Sequence, residues 1–171
     1  MTETVNQEQE LCISCGFCCD GTLFNRARSD ESEVVLAEML KFKDEDGNHW
    51  IKLPCPYFEK HCKVYKQNRP HVCSSFKCSL LEKLINKEIA FEEALELVKK
   101  VHEQKSRIQA MIPFSETHLQ VHENFENFLK EFEKELDTKE FRIKYFNLLS
   151  EWASYQKKLK YFIEQTADKC Q

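Results

Sequence analysis

Cys12-Ile13-Ser14-Cys15-Gly16-Phe17-Cys18-Cys19 is the stretch around which the chain is organised. It places four thiols within eight residues, and Cys55, Cys62, Cys73 and Cys78 answer it downstream. Eight of the nine cysteines therefore lie in the first half, and Cys170 stands apart beside the last residue. Thiolates are strong ligands for zinc and for iron–sulfur clusters. An ion offsets the cost of deprotonating several thiols held close together, and without one they are an oxidation hazard. Residues 1–11 are polar and acidic and read as a flexible lead-in with no basic and apolar leader pattern. The expected address is cytoplasmic, where stable disulfides are rare and clustered cysteines read as metal or redox groups. The odd cysteine count also suits a disulfide framework poorly.

Spacing narrows the chemistry without naming the metal. Cys12, Cys15 and Cys18 recur every third residue, so a helical turn or a tight loop brings them to one side, with Gly16 relaxing the backbone between them. Cys18 and Cys19 are adjacent, and their side chains diverge by about 100° on a helix or to opposite faces on a strand. One ion holding both is awkward. Two neighbouring sites are expected, or one polynuclear site, with this pair at the junction. The opening matches the start of a bacterial iron–sulfur run, C-x2-C-x2-C, but the fourth cysteine of that run is missing. The downstream spacings, Cys55-x6-Cys62 and Cys73-x4-Cys78, are not those of a zinc ribbon.

These residues resemble the zinc- or iron-chelating cysteine-cluster family, also called CxxCxxCC or YkgJ-type. The resemblance rests on Cys12-x2-Cys15-Gly16-x-Cys18-Cys19, Cys55-Pro56-Tyr57-Phe58, Cys62-Lys63-Val64-Tyr65, Arg69-Pro70 and Cys73-x2-Phe76-x-Cys78, over residues 12–78. It implies metal binding by Cys12, Cys15, Cys18, Cys19, Cys55, Cys62, Cys73 and Cys78, as an iron–sulfur cluster or zinc. The flagellin lysine N-methylases carry a similar motif with an iron–sulfur cluster. This chain is much shorter and shows no further motif of theirs, so the likeness favours iron–sulfur without carrying over an activity.

Composition excludes several classes. The formal net charge is -4, against the basic excess of a nucleic-acid binder. Three glycines, Gly16, Gly21 and Gly47, cannot build a nucleotide-binding glycine loop. No apolar run approaches the roughly 18 residues of a membrane span.

The expected fold is mostly α, with a small irregular, β-hairpin-bearing cysteine module over residues 12–79 and a helical extension over 80–171 packed on it as a hairpin or bundle. Within the module, Ser29 to Glu33 reads as a capped start of a helix ending near Lys41. Residues 42–53 read as a hairpin around Asp46-Gly47, and Tyr57 to Tyr65 as a second short hairpin. Pro70 opens a short helix carrying Cys73. Beyond Leu80, three helices are predicted: Leu80 to Met111 with a break near Asn86, one capped by Ser115 after Pro113, and one after Thr138. Phe125, Phe128, Phe132, Phe141, Tyr145 and Trp152 recur at helical spacing and read as core.

The remaining candidates are weaker. Arg69 either donates to thiolates or starts a helix and pairs on the surface. His61 and His71 read as neighbours of the site, since eight cysteines are at hand. His118 and His122 are four apart but lack the H-E-x-x-H pattern, so they read as an exposed helix face. Glu92, Glu93 and Glu96, and Lys157, Lys158 and Lys160, read as solvated faces. Nothing activates Cys170. The leading expectation is a metal-binding protein whose helical half packs on the cysteine module or recruits a protein partner. The alternative is a metalloenzyme with an open coordination position, whereas two closed four-thiolate sites favour the first reading.

Overall fold

The computed structural model describes residues 6–33, 39–67 and 69–163. Among them, in chain order, are α1 (Gln7–Cys15), β1 (Arg26–Ser29), β2 (Lys41–Lys43), β3 (His49–Lys52), α2 (His71–Ser75), α3 (Ser79–Ile85), α4 (Phe91–Met111), α5 (Val121–Glu131), α6 (Lys139–Lys144) and α7 (Phe146–Ile163). The protein is thus mostly helical, with one small antiparallel sheet in the cysteine-bearing segment, as expected. The described residues gather into two compact units. One runs up to Val98 and includes Phe162 and Ile163, and the other is Lys99–Tyr161.

In the first unit, the Asn6 side chain caps α1 by accepting the Glu8 N–H at 3.0 Å, and Glu8 and Glu10 suit the positive end of the helix. The helix begins inside the stretch expected as a lead-in and buries Leu11 and Cys15. The expected hairpin forms between β2 and β3: Gly47 (φ 80°) makes the turn, the Gly47 N–H reaches the Asp44 carbonyl at 3.1 Å, and the Asp44 carboxylate accepts the Asn48 N–H at 2.8 Å.

Sequence reading missed β1. It lies antiparallel on the other edge of β3, with Ala27 opposite Ile51, so the order is β1-β3-β2. Arg26 stacks over Trp50 at 4.0 Å, and the Trp50 indole donates to Asp44 at 2.7 Å. Ser29, expected to cap a helix, ends β1, and its hydroxyl donates to Glu33 at 2.8 Å. Residues 34–38 of that expected helix lie outside the described residues, and Lys41 already belongs to β2. The second expected hairpin is reduced to one bridge, Phe58 to Cys62. Pro70 stands one position earlier than expected, as the N-cap of α2, and the Leu53–Pro54 peptide is cis.

The break near Asn86 is real. Lys87 turns left-handed (φ 60°), its N–H bonds the Leu84 carbonyl at 3.0 Å, and the Glu88 N–H bonds Lys83 at 2.8 Å. That paired closure satisfies the last carbonyls of α3 and ends it.

In the second unit, the predicted start at Ser115 is wrong: α5 begins at Val121 behind Gln120. Buried Asn124 explains why. Its Oδ1 accepts the Glu116 N–H at 2.8 Å, and its Nδ2 donates to the Glu116 carbonyl at 2.9 Å and the Leu119 carbonyl at 3.3 Å. The loop backbone is thereby satisfied without helix. The Gln120 N–H then bonds the Glu123 carboxylate at 2.8 Å, closing the entry.

The single helix expected after Thr138 is two, α6 and α7, separated at Tyr145. The aromatic stripe is core, as read. Phe128 meets Phe132, Phe141 and Tyr145 at centroid separations of 5.3, 5.7 and 4.9 Å, and Phe125 stacks on Trp152 at 4.0 Å. Buried Gln104 donates to Glu151 Oε2 at 2.7 Å and accepts from Lys158 Nζ at 2.7 Å. Lys158 is therefore turned to a core partner, not part of a solvated basic face.

Candidate metal centre

α1 carries Cys12 and Cys15 one turn apart, on one face of the helix. Gly16 ends the helix in the left-handed region (φ 64°), with its N–H on the Cys12 carbonyl at 3.2 Å. The Phe58 ring lies where a side chain at residue 16 would project: a Cβ there would fall 1.9 Å from the ring. Glycine is required twice over, for the backbone and for the ring. The chain then turns tightly, with the Cys19 and Asp20 N–H groups on the Gly16 carbonyl at 2.8 and 2.9 Å, and so carries Cys18 and Cys19. Phe17 between the cysteine pairs is fully buried, edge-on to Phe162 at 5.3 Å.

Downstream cysteines arrive on four segments. The Cys55 N–H donates to the Cys19 carbonyl at 2.7 Å, pinning the Pro54-Cys55-Pro56 segment to the first cluster. The Phe58–Cys62 bridge and the Lys63 N–H on the Tyr57 carbonyl at 3.0 Å close the loop that carries Cys62. α2 carries Cys73 and packs on β1. Cys78 caps α3, which packs on α1, and its Sγ accepts the Leu81 N–H at 3.4 Å.

Arg69 bonds the Cys73 carbonyl at 3.4 Å and stacks on Tyr65 at 4.0 Å. Its positive charge favours the thiolates of Cys12 and Cys73. Of the two readings of Arg69, the one near the thiols is thus met by its charge, although its hydrogen bond goes to a carbonyl.

Burial raises the proton affinity of Cys12, Cys15, Cys18, Cys19, Cys55, Cys73 and Cys78. Burial, then the Cys78 charge, pushes Cys12 up to about 11. Burial, then Cys73, Cys62 and Cys55, pushes Cys19 up to about 12. Burial takes Cys15 and Cys18 well above the ordinary thiol value, and Cys73 reaches about 11 although its residue surface is exposed. Burial also raises Cys55 and Cys78. Such thiols stay protonated near neutrality unless an ion stabilises their anions.

The donors suit zinc or an iron–sulfur cluster in kind and in neighbourhood. The ligand shell itself is not drawn together: among the described residues no group of three or more His, Cys, Asp or Glu is already arranged to hold an ion.

His61 and His71 are exposed, and the His71 ring lies 3.4 Å from Ser75 Oγ. His118 precedes α5 and pairs with Glu116 at 3.4 Å, so His118 and His122 do not share a helix face. Cys170 lies outside the described residues. Sequence reading assigned no role at the metal centre to Phe58, Tyr65 or Glu33. The Glu33 carboxylate accepts both the Ser29 hydroxyl and the His71 N–H at the start of α2. Phe58 and Tyr65 stand in the quoted motif segments, which was the available signal. Glu33 had none. No described helix is long and apolar enough to cross a membrane.

No curated protein and no solved structure matches the chain. A family model does match, over residues 11–122. The match runs past the last clustered cysteine, through α3 and α4 to the first residues of α5, beyond the segment that carries the motif. It takes in most of the chain, which therefore belongs to the CxxCxxCC family, described as a putative zinc- or iron-chelating domain.

Proposed function

We propose that this protein holds zinc or an iron–sulfur cluster through Cys12, Cys15, Cys18, Cys19, Cys55, Cys62, Cys73 and Cys78, and that the metal organises the unit bearing them. One observation carries the reading: eight thiols from five separate segments, all but one at least partly buried, fall within one compact unit. A protein without metal chemistry has no reason to concentrate oxidisable, hard-to-ionise groups in this way. Metal crosslinks would add order to the short strands and small helices of this unit.

The test is purification under anaerobic, reducing conditions, with an absorption spectrum and elemental analysis of the same sample. Iron with labile sulfide and a broad band near ~400 nm identifies an iron–sulfur cluster, and a colourless protein with stoichiometric zinc identifies a thiolate zinc centre. Sub-stoichiometric amounts of both metals, with no uptake on reconstitution, would overturn the proposal.

A further inference from the structure

We infer that the eight cysteines form two separate four-thiolate centres, Cys12, Cys15, Cys18 and Cys78 in one, and Cys19, Cys55, Cys62 and Cys73 in the other. The inference deepens the proposed function and rests on it. The backbone brings together most of each set. The first set comes from α1, from the turn after Gly16 and from the cap of α3, and α1 packs directly on α3. The second set is built around the Cys19 carbonyl, which holds the Cys55 N–H at 2.7 Å. Cys62 joins it through the bridge to Phe58, which lies three residues beyond Cys55.

Electrostatic neighbours divide the thiols in the same way. Cys12 feels Cys78, Cys15 feels Cys78 and Cys12, and Cys18 feels Cys78, Cys15 and Cys12. Cys19 feels Cys73, Cys62 and Cys55, Cys55 feels Cys62, and Cys73 feels Cys55 and Cys62. The direct cross-talk among these is between the adjacent residues Cys18 and Cys19.

Each set supplies four soft donors, the number taken by a closed tetrahedral zinc site or by a cluster. Consecutive side chains diverge, so the Cys18–Cys19 peptide suits one ligand on each side of a boundary. Two such centres carry excess negative charge close together. Arg69 answers it, since its charge reaches Cys12 in one set and Cys73 in the other.

The test uses the full-length chain, stripped under reducing conditions and loaded with cadmium-113. Two cadmium ions per chain and two thiolate-range resonances, uncoupled to each other, are expected. Cys78→His keeps four donors and should move one resonance only. Cys73→His should move only the other, and in each case the unmoved resonance reports an intact fold. A single ion, resonances coupled through a shared thiolate, or either substitution moving or abolishing both resonances would overturn the partition. A wild-type chain that takes up no cadmium and carries neither zinc nor iron as purified would overturn the metal-binding reading itself.

Discussion

The two units solve the same problem with different chemistry. Lys99–Tyr161 is held by apolar and aromatic burial: Val101, Ile108, Val121, Phe125, Phe128, Phe141, Leu148 and Tyr155 are all buried, and the rings meet edge to face and stacked. The cysteine-bearing unit also has a core, around Leu11, Phe17, Trp50, Ile51, Leu80 and Leu84. It also carries thiols whose proton affinity burial raises. Ring packing persists in any solvent that preserves the hydrophobic effect, whereas thiolate ligation depends on metal, pH and redox state. One unit should therefore be conditional and the other constitutive.

Metal removal should separate them most. Structural zinc sites bind with about 10–16 kcal/mol, most of which becomes folding free energy. Chelation under reducing conditions should raise amide exchange across residues 12–78 by orders of magnitude and leave α5 and α7 largely protected. Equal loss of protection in both units would break the contrast. Next in size is Phe128→Ala, which removes a ring meeting Phe132, Phe141 and Tyr145. Denaturant unfolding should show a loss of about 3–5 kcal/mol for the second unit, with metal per chain unchanged. A fall in metal content would show that the cysteine unit depends on the helical one.

Gly16→Ala should act on the cysteine unit alone, by about 1–3 kcal/mol, because its Cβ would strike the Phe58 ring and its φ of 64° suits glycine. Thermal denaturation of the loaded protein measures this. Adding Phe58→Ala should relieve the steric part, and strictly additive effects would mean that the ring is not the obstacle.

The smallest effect is at Asp44. The Trp50 indole and then the Asn48 groups hold its carboxyl below the ordinary value. A depressed carboxylate stabilises the fold above its unfolded value, about 3.9, and that contribution is lost as pH falls through the lower folded value. The Trp50 indole proton should therefore titrate with a midpoint below about 3.9, and Asp44→Asn should abolish the transition. A midpoint at or above that value would remove the hairpin clamp from the account.

Much of the helical unit was legible because its signals are local. Phe125, Phe128, Phe141 and Leu148 follow helical periodicity, and Thr138 caps α6 through its hydroxyl, which accepts the Phe141 N–H at 3.2 Å. The start of α5 was not legible, because Asn124 satisfies the backbone of residues 116–119 from further along the chain. β1 was missed for a similar reason: Arg26-Ala27-Arg28-Ser29 carries no apolar alternation and is a strand only because β3 offers it an edge.

The sequence by itself determined the chemistry. Eight soft donors at those spacings, three glycines and no strong positive charge leave metal chelation as the clear reading. Which thiol-bearing segments lie together is set by long-range packing. Cys78 lies sixty-odd residues from Cys12 in sequence, and the packing of α1 on α3 brings their segments together. Spacing reports where ligands can be, since it follows from local backbone geometry. Grouping depends on long-range packing and on one backbone hydrogen bond from Cys55 to Cys19, which no local pattern encodes.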